Sequence, residues 1–232
     1  MSGLWCVVPA AGRGTRVGAV LPKQYLPLAG RPLILHTLER LAVQPGIAGL
    51  MVALAADDAY WPGLDALAGK PVLTCVGGTE RAASVLAGLE ALPPAVAPGA
   101  LVLVHDAARP CVRGTDIARL IRLAGAHGGG LLGAPLRDTL KHADAAGLSE
   151  RTEARESRWR AFTPQLFRRG DLAAALRAAA ADSIVVSDEA MAMERTGFRP
   201  LLVEGAEDNI KVTTPADLAL AEFLLPRTTA CA

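Results

Sequence analysis

The loop after the first apolar run of the chain combines small residues and cations in a pattern that suits a polyphosphate. Small residues let backbone N–H groups approach an anion closely, and successive N–H groups form an anion-binding nest. Arg16 and Lys23 add the full positive charges that a triphosphate needs. The small residues of this loop are Pro9, Ala10, Ala11, Gly12 and Gly14. The pattern predicts a phosphate-binding loop, and a plain turn with solvated cations is the alternative.

The loop does not match either of two common phosphate-binding motifs. A dinucleotide-binding turn needs Gly-x-Gly-x-x-Gly running into a helix. Here the third glycine comes too late, at Gly18, and Pro22 and Pro27 exclude a regular helix in the next stretch of chain. A Walker loop needs Gly-Lys followed by Ser or Thr, whereas the one Gly-Lys pair of the chain is followed by Pro71. We therefore expect a mononucleotide rather than a dinucleotide.

A second glycine-containing loop follows another predicted strand. Gly77 and Gly78 allow a close backbone approach, and Thr79 and Ser84 lie at the start of a predicted helix. The pattern fits either an ordinary helix capped by Thr79 or a pocket for a base or ribose. The residues alone leave both interpretations open.

Two charged residues elsewhere are placed where a ligand would meet them. Asp106 directly follows an apolar run, so its carboxylate is predicted to face the crevice at the strand ends, where it could bind Mg²⁺. A structural Asp that caps the turn is the alternative. Lys211 lies between two apolar residues of a short extended piece and is predicted to point at a buried anion. The neighbouring His105 is predicted to be structural, because no Ser or second His is spaced for a triad.

Short apolar runs alternate with amphipathic ones along the chain. Because the runs are continuously apolar, they predict a mainly parallel sheet with helices on both faces, whose ligands bind at the carboxyl ends of the strands. Ser187 to Ala190 is predicted to start a helix, in preference to an acidic metal pair at Asp188 and Glu189. The predicted strands are 4–8, 50–55, 72–75, 101–104, 130–134 and 201–203. The predicted helices are 32–42, 80–91, 115–126, 171–180 and 215–225.

Length and composition exclude several classes of function. The chain has 232 residues, a size that suits one α/β domain. Its net charge of +1 gives no general electrostatic case for a nucleic-acid partner. The longest apolar run is far shorter than the roughly 20 residues of a membrane helix, so no membrane partner is expected. The four cysteines have neither metal-ligand nor disulfide spacing, and with no signal peptide apparent they predict a cytoplasmic protein.

One segment does not follow the alternating pattern. From Pro135 to Gln165 the chain is rich in charged residues and poor in apolar ones, with a turn-like Asp144-Ala-Ala-Gly147. It is predicted either to be a solvated loop or to leave the domain and pack against a partner subunit.

Taken together, these motifs resemble the 2-C-methyl-D-erythritol 4-phosphate cytidylyltransferases of the non-mevalonate isoprenoid pathway. The resemblance covers nearly the whole chain. It depends most on His105-Asp-Ala-Ala-Arg-Pro110 and Asp208-Asn-Ile-Lys-Val-Thr213, since many nucleotidyltransferases share the opening loop. It implies a Rossmann-like, mostly parallel sheet of the nucleotide-diphospho-sugar transferase type, with a protruding β-arm. Residues 1–232 would form a single nucleotidyltransferase domain, with residues 136–162 as an arm for dimerisation and substrate binding.

The resemblance also implies a reaction and a set of site residues. The phosphate of the polyol substrate attacks the α-phosphorus of CTP and releases pyrophosphate, with Mg²⁺ as the metal and without a covalent enzyme intermediate. Arg16, Lys23 and Lys211 would be catalytic. Asp106 would bind the polyol phosphate or the metal, together with Arg109 near the substrate phosphate. The residues implied to bind CTP are Pro9, Ala10, Ala11, Gly12, Gly14, Gly77, Gly78, Thr79, Ser84 and Ala107. Some family members carry an acidic residue where this chain has Thr79.

The arm gains a role from the resemblance. In a homodimer it would cross to the other subunit and bring Thr139 and Arg155 to the substrate phosphate of the neighbour. Two alternatives stay open: a cytidylyltransferase for another polyol phosphate, such as ribitol 5-phosphate, and a nucleotide-binding regulatory protein without catalysis. The retained cations and Asp106 argue against the second.

Overall fold

Short apolar runs form a central sheet, as the sequence predicts. The computed structural model describes residues 3–12 and 21–229, so the predicted site residues Gly14 and Arg16 lie outside the described residues. The strands are β1 (Leu4–Pro9), β2 (Pro27–Leu28), β3 (Arg31–Pro32), β4 (Ile47–Leu54), β5 (Ala66–Leu67), β6 (Lys70–Val76), β7 (Leu101–Val104), β8 (Gly129–Pro135), β9 (Leu140–Ala143), β10 (Ser149–Glu153), β11 (Trp159–Arg168) and β12 (Leu201–Glu204). The helices are α1 (Leu33–Ala42), α2 (Arg81–Glu90), α3 (Gly114–His127), α4 (Arg169–Ala181), α5 (Glu189–Glu194) and α6 (Pro215–Thr229).

The strand order of the central sheet is β12-β8-β11-β7-β1-β4-β6-β5. β1 is parallel to both β4 and β7, β4 is parallel to β6, and β12 is parallel to β8. The carboxyl ends of β1, β4, β6 and β7 therefore share one edge of the sheet, and the loops that follow them meet there. This confirms the predicted Rossmann-like α/β class and places the predicted ligand loops together.

The helices cover both faces of the sheet. Along β1, Cys6 and Val8 pack on one face in a cluster with α1 and α3, while Val7 packs on the other face with α2, α4 and α5. α6 packs in a third cluster, through Ala221 and Leu225. Each large apolar side chain that is fully buried stabilises the fold by about 1.5–3 kcal/mol, so both faces of the sheet contribute to the core. No described helix has the length and apolar character that crossing a membrane requires.

One central strand was missed by the sequence analysis. Residues 136–162 were predicted to form an arm, but β11 begins at Trp159 and lies between β7 and β8, antiparallel to both. The error has a physical cause: the first residues of β11, including Arg160, extend past the end of β7 and are partly exposed, and burial begins only at Phe162. The charged start of the strand therefore conceals its apolar continuation.

The remainder of the predicted arm contains a hairpin. β9 and β10 pair in a two-stranded antiparallel sheet of their own, separate from the central sheet. The Asp144 carboxylate accepts hydrogen bonds from the backbone N–H groups of Ala146 and Leu148 and closes the turn that the sequence predicts. We refer to residues 140–153 as the arm hairpin.

Candidate active site

A cleft lies at the shared carboxyl edge of the central strands. Loops after β1, β6 and β7 form its walls, and Lys211, from the segment before α6, reaches into it. This main cleft brings together most of the predicted site residues, namely Pro9, Ala10, Ala11, Gly12, Lys23, Gly78, Thr79, Ser84, Asp106, Ala107 and Lys211. The strand order thus brings residues that the sequence analysis selected from separate loops into one cleft.

The first wall is the predicted phosphate loop as far as the structure describes it. Lys23 begins a single 3-10 turn, Lys23–Tyr25, which Pro22 precedes, so the prolines do exclude a regular helix here. The buried side chain of Gln24 donates a hydrogen bond from Nε2 to the carbonyl oxygen of Ala10 at 2.7 Å. Gln24 therefore fixes the loop backbone from behind, a role the sequence analysis did not assign.

The second wall is the glycine loop before α2. The Ser84 hydroxyl accepts a hydrogen bond from the Gly78 N–H and lies 3.1 Å from the carbonyl oxygens of Gly78 and Glu80. A Cβ on Gly78 would lie 2.4 Å from the Cβ of Ala83, and one on Gly77 would lie 2.8 Å from the Cβ of Ala11. Both glycines are therefore required by close packing. α2 begins without any side-chain cap, so a helix capped by Thr79 is not what the loop forms.

Asp106 lies at the centre of a cluster of charged groups. Its Oδ1 accepts a hydrogen bond from Nε of Arg81 at 2.8 Å, and its Oδ2 lies 2.9 Å from Nζ of Lys211. Nε of Arg109 faces the same Oδ2 at 3.6 Å, which is longer than a hydrogen bond. The buried anion that the sequence predicted for Lys211 is thus the Asp106 carboxylate.

The cations determine the charge state of this cluster. Burial alone would raise the pKa of Asp106, but Arg81, Lys211 and Arg109 outweigh burial and hold it far below its usual range. Burial would lower the pKa of Arg81, and the carboxylates of Glu189 and Asp106 together raise it instead. Asp106 is therefore a carboxylate, and Arg81 a cation, at any pH at which the protein works.

A buried hydrogen-bond chain fixes the backbone beside Asp106. A carbonyl oxygen can only accept, so the contact of His105 Nε2 with the Arg109 oxygen, at 3.1 Å, places the proton of the neutral ring on Nε2. Nδ1 then accepts from the Thr163 hydroxyl, which accepts in turn from the Asp106 N–H, each at 3.0 Å. Burial lowers the pKa of His105 to about 4. His105 is therefore structural, as predicted.

A second pocket adjoins the main cleft and shares Arg81, Asp106 and Lys211 with it. The predicted residue Arg109 lies in this second pocket rather than in the main cleft. It donates from Nη1 to the carbonyl oxygen of Asn209 at 2.6 Å, and its guanidinium lies 5.2 Å from the centre of the Phe162 ring. The second pocket is lined by Arg81, Asp106, Arg109, Ala161, Phe162, Thr163, Gln165, Ser187, Asp188 and Lys211.

Thr139 and Arg155 line neither pocket of their own chain. Both are exposed, one just before β9 and the other just after β10, and Arg155 donates to the carbonyl oxygen of Arg137. The fold does not bring these two residues to the site within one chain.

Asp106 does not fit the role of a metal ligand in this arrangement. Each of its oxygens is already paired with a cation, and Arg109 adds a third positive charge nearby. In the described ranges 3–12 and 21–229, no group of three or more His, Cys, Asp and Glu side chains could hold a metal ion. A divalent cation would find three positive charges here rather than free carboxylate oxygens.

Two site residues carry roles that the sequence analysis missed. The first is Arg81, which lines both pockets and donates hydrogen bonds to the carboxylates of Asp106 and Glu189. The second is Glu189, which is fully buried at the start of α5. Glu189 was interpreted as part of a plain helix start; Asp188 does cap α5, accepting from the Met191 N–H. The one signal for the missed pair was a lone arginine one residue into a helix beside a glycine loop, a pattern that is also typical of a solvated surface.

The arrangement suits two anionic ligands that meet at a shared wall. A ligand in each pocket would touch the other near Arg81, Asp106 and Lys211, where cations can stabilise negative charge that builds up between them. Lys23 and Lys211 both line the main cleft, so a long anion could contact both lysines.

Comparison with known proteins shows which family the chain is similar to. The sequence model of the family described as "IspD: 2-C-methyl-D-erythritol 4-phosphate cytidylyltransferase" matches residues 4–227. The enzyme of that name from Stenotrophomonas maltophilia (strain K279a) is 60% identical over 225 residues, which cover 97% of each chain. The one from Xylella fastidiosa (strain M23) is 58% identical over 226 residues, covering 97% of this chain and 98% of the relative.

Solved structures agree with the sequence comparison. The Francisella tularensis 2-C-methyl-D-erythritol 4-phosphate cytidylyltransferase matches with a TM-score of 0.82 and 33% identity, over 97% of this chain and 100% of that chain. The Thermus thermophilus enzyme matches with a TM-score of 0.77 and 34% identity, over 97% of this chain and 99% of that chain. By sequence over nearly its full length, and by fold, the chain belongs to the 2-C-methyl-D-erythritol 4-phosphate cytidylyltransferase family.

Proposed function

We propose that the two pockets hold the two substrates of the family reaction, with CTP in the main cleft and 2-C-methyl-D-erythritol 4-phosphate in the second pocket. The products are 4-diphosphocytidyl-2-C-methyl-D-erythritol and pyrophosphate. One observation supports this assignment above all others: Arg81, Asp106 and Lys211 belong to both pockets, so substrates in the two pockets would meet at these side chains.

The main cleft supplies contacts for each part of the nucleotide. The loop from Pro9 to Gly12 and its continuation through the predicted residues Gly14 and Arg16 would bind the triphosphate together with Lys23. The glycine loop, with Thr79 and Ser84 beside it, would bind the base and ribose. Gly77 would contribute by allowing the loop to pack closely against Ala11 and Ser84, rather than by contacting CTP itself. Ala107, on the cleft wall after β7, would complete the CTP contacts.

The second pocket supplies contacts for the polyol phosphate. Asp106 would accept hydrogen bonds from substrate hydroxyl groups, and Arg109 would attract the substrate phosphate. Thr139 and Arg155 would reach that phosphate from the partner subunit of a homodimer, with residues 136–162 as the arm that brings them. Because both residues are exposed at the ends of the arm hairpin, they are accessible to a second copy of the chain.

The proposed chemistry is positioning and charge neutralisation. A phosphate oxygen of the polyol substrate attacks the α-phosphorus of CTP in line with the departing pyrophosphate, so the new P–O bond forms as the bond to pyrophosphate breaks. Arg16, Lys23 and Lys211 would stabilise the negative charge on the α-phosphoryl oxygens and the leaving group. The neutral, hydrogen-bonded His105 takes no part in proton transfer.

We assign the divalent metal, taken to be Mg²⁺, to the triphosphate oxygens of CTP, because Asp106 is already paired with cations. We also place the enzyme in the cytoplasm. The free thiols of Cys6, Cys75 and Cys111 support this, since a reducing compartment keeps such thiols unpaired.

A steady-state assay of pyrophosphate release tests the proposal. With CTP and Mg²⁺ present, release is expected with 2-C-methyl-D-erythritol 4-phosphate and not with ribitol 5-phosphate. The Lys211→Gln variant should lower kcat by about 10²–10³, as the loss of one charge-stabilising donor does elsewhere. Lys70→Gln is the matched control, because Lys70 lies in β6 away from both pockets.

Each other outcome of this assay would overturn a different part of the proposed function. Release only with ribitol 5-phosphate would replace the proposed substrate and leave the cation roles in place. Binding of CTP without release with either alcohol would favour a regulatory protein. A Lys211→Gln variant as active as Lys70→Gln would remove Lys211 from the chemistry.

A further inference from the structure

Glu189 is a buried carboxylate that the proposed mechanism does not use. It is fully buried at the first residue of α5, and both of its oxygens accept from the Arg81 guanidinium, Oε1 from Nη1 at 2.5 Å and Oε2 from Nη2 at 3.0 Å. The Nε–H of Arg81 donates to a different carboxylate, that of Asp106, at 2.8 Å. Arg81 therefore links a carboxylate in the protein interior to the carboxylate at the boundary of the two pockets.

The start of α5 is held tightly, which gives Glu189 a fixed position. Gln165 on β11 donates from Nε2 to the Asp188 carboxylate at 2.9 Å and accepts at Oε1 from the Ala190 N–H at 2.7 Å. Asp188 also caps the helix by accepting from the Met191 N–H at 2.9 Å. Since these bonds flank Glu189 on both sides, its carboxylate is anchored to the central sheet rather than carried on a mobile end.

Glu189 decides which edge of the Arg81 guanidinium faces the site. A planar guanidinium has five N–H donors in a fixed fork, and a carboxylate that binds one N–H of Nη1 and one of Nη2 leaves the edge that carries Nε–H to face Asp106. Without Glu189, the side chain could turn its Nη edge to Asp106, since it is partly exposed at the cleft. Asp106 would then lose its fixed direction, although all three cations around it would remain.

We propose that Glu189 is a positioning residue that acts through Arg81 and holds the Asp106 carboxylate in the orientation that binds the polyol phosphate. The inference rests on the proposed role of Asp106 in the second pocket. Glu189 lines neither pocket, so its effect on binding would pass through the Arg81 side chain. The contacts proposed for CTP lie mainly in the phosphate loop, in Lys23 and in the glycine loop, so CTP binding should be much less affected.

The test compares Glu189→Gln with Glu194→Gln, an exposed glutamate at the other end of α5. Glutamine has the size of glutamate, but it cannot accept two charge-assisted bonds from Arg81. We expect KM for the polyol phosphate to rise roughly ten- to a hundredfold, as small misplacements of site residues can cause. KM for CTP should stay within about twofold, and Glu194→Gln should match the unmodified protein.

A rise in KM for the polyol phosphate without a rise in KM for CTP separates a positioning role of Glu189 from a role in stabilising the fold. A structural role would lower the thermal midpoint and the active fraction and leave both KM values unchanged, an outcome that would refute the inference. A rise of both KM values by the same factor would refute it as well. The Arg81→Lys background adds a second test: lysine cannot hold both carboxylates, so Glu189→Gln should change KM there by less than about twofold. A full additional rise would show that Glu189 acts independently of Arg81.

The Asp106→Asn variant, measured in parallel, separates the proposed role of Asp106 in substrate binding from the proposed role of Glu189 in positioning it. It should raise KM for the polyol phosphate at least as much as Glu189→Gln does. If it has no effect, the proposed role of Asp106 is wrong, and the inference is wrong with it. If it has the expected effect and Glu189→Gln has none, only the positioning role of Glu189 is wrong.

Discussion

At the scale of single residues, the site is a balance of buried charges. Two carboxylates, Asp106 and Glu189, face three cations, Arg81, Arg109 and Lys211, and this leaves an excess of one positive charge at the boundary of the pockets. Removing one partner of such a group leaves another charge buried and unpaired, which costs several kcal/mol. The excess favours anionic substrates, and the shared pairing keeps the empty site stable.

His105 should be visible in the pH dependence of stability. Burial lowers its pKa to about 4 in the folded protein, against 6.5 for the unperturbed ring. The unfolded chain therefore takes up a proton between pH 6.5 and 4 that the folded protein does not, so this group lowers stability as the pH falls through that window. From pH 7 to pH 5 the loss amounts to about 2 kcal/mol.

Urea unfolding at pH 7 and pH 5 measures this loss. The His105→Gln variant keeps an amide that can donate to the Arg109 oxygen but cannot be protonated. Between pH 7 and pH 5, the free energy of unfolding of this variant should therefore fall by about 2 kcal/mol less than that of the unmodified protein. His142→Gln, on the exposed face of β9, is the control and should retain the full pH dependence. Equal losses in the His105 variant and the unmodified protein would show that His105 does not stay neutral in the fold.

At the scale of elements, the position of α2 depends on one glycine. A Cβ at Gly88 would lie 2.5 Å from Cγ1 of Val7 on β1, closer than real contacts allow. α2 carries both Arg81 and Ser84, so its distance from the sheet sets where these side chains reach the cleft. The close approach of α2 to β1 is thus part of how the fold builds the site.

Gly88→Ala should therefore destabilise the protein, although alanine is the better helix former. Overpacking costs about 1–3 kcal/mol and the gain in helix propensity about 0.5–1 kcal/mol, so we expect a net loss of about 1–2 kcal/mol. Gly125→Ala in α3 is the matched control. Its Cβ would meet Leu101 Cδ1 at an ordinary 3.6 Å, so stability should rise by about 0.5–1 kcal/mol. Chemical denaturation measures both, and a Gly88 variant as stable as the Gly125 variant would contradict the packing argument.

The elements also show what sequence patterns can and cannot predict. The parallel strands were predicted because they are buried on both faces and so consist of continuous apolar residues. β11 was missed because its exposed, charged start follows directly on the charged hairpin. The Arg81–Glu189 pair was missed for another reason: it joins residues 108 positions apart, and strand order alone brings them together. Local patterns predict elements, whereas long-range pairs require the topology.

At the scale of the whole molecule, the arm hairpin extends the chain beyond its own site. The side chains of Arg137 and Arg160 both pair with Glu207, which ties the base of the arm to the segment that leads to Lys211. Thr139 and Arg155 remain exposed and outside both pockets of their own chain. If these two residues bind substrate, a second copy of the chain must present the pocket, so the active unit would be a homodimer.

Complementation between two inactive variants tests this exchange. Arg155→Ala removes the proposed arm cation, and Lys211→Ala removes a cation of the main cleft, so each homodimer alone should have little activity. If the arm crosses between subunits, a mixed dimer contains one site that lacks both residues and one site that has both. After unfolding and refolding of an equal mixture, half of the dimers are mixed, and activity should recover to about a quarter of that of the unmodified protein.

The alternative geometry predicts a different result from the same mixture. If Arg155 serves the site of its own chain, every site in the mixed dimer lacks one cation, and no activity returns. Mixing Lys211→Ala with Lys23→Ala is the control, because both lysines line the same cleft of one chain and cannot complement each other. Recovery with Arg155→Ala but not with Lys23→Ala would place the arm in the neighbouring site, since only a residue contributed across the subunit boundary can be restored by a partner.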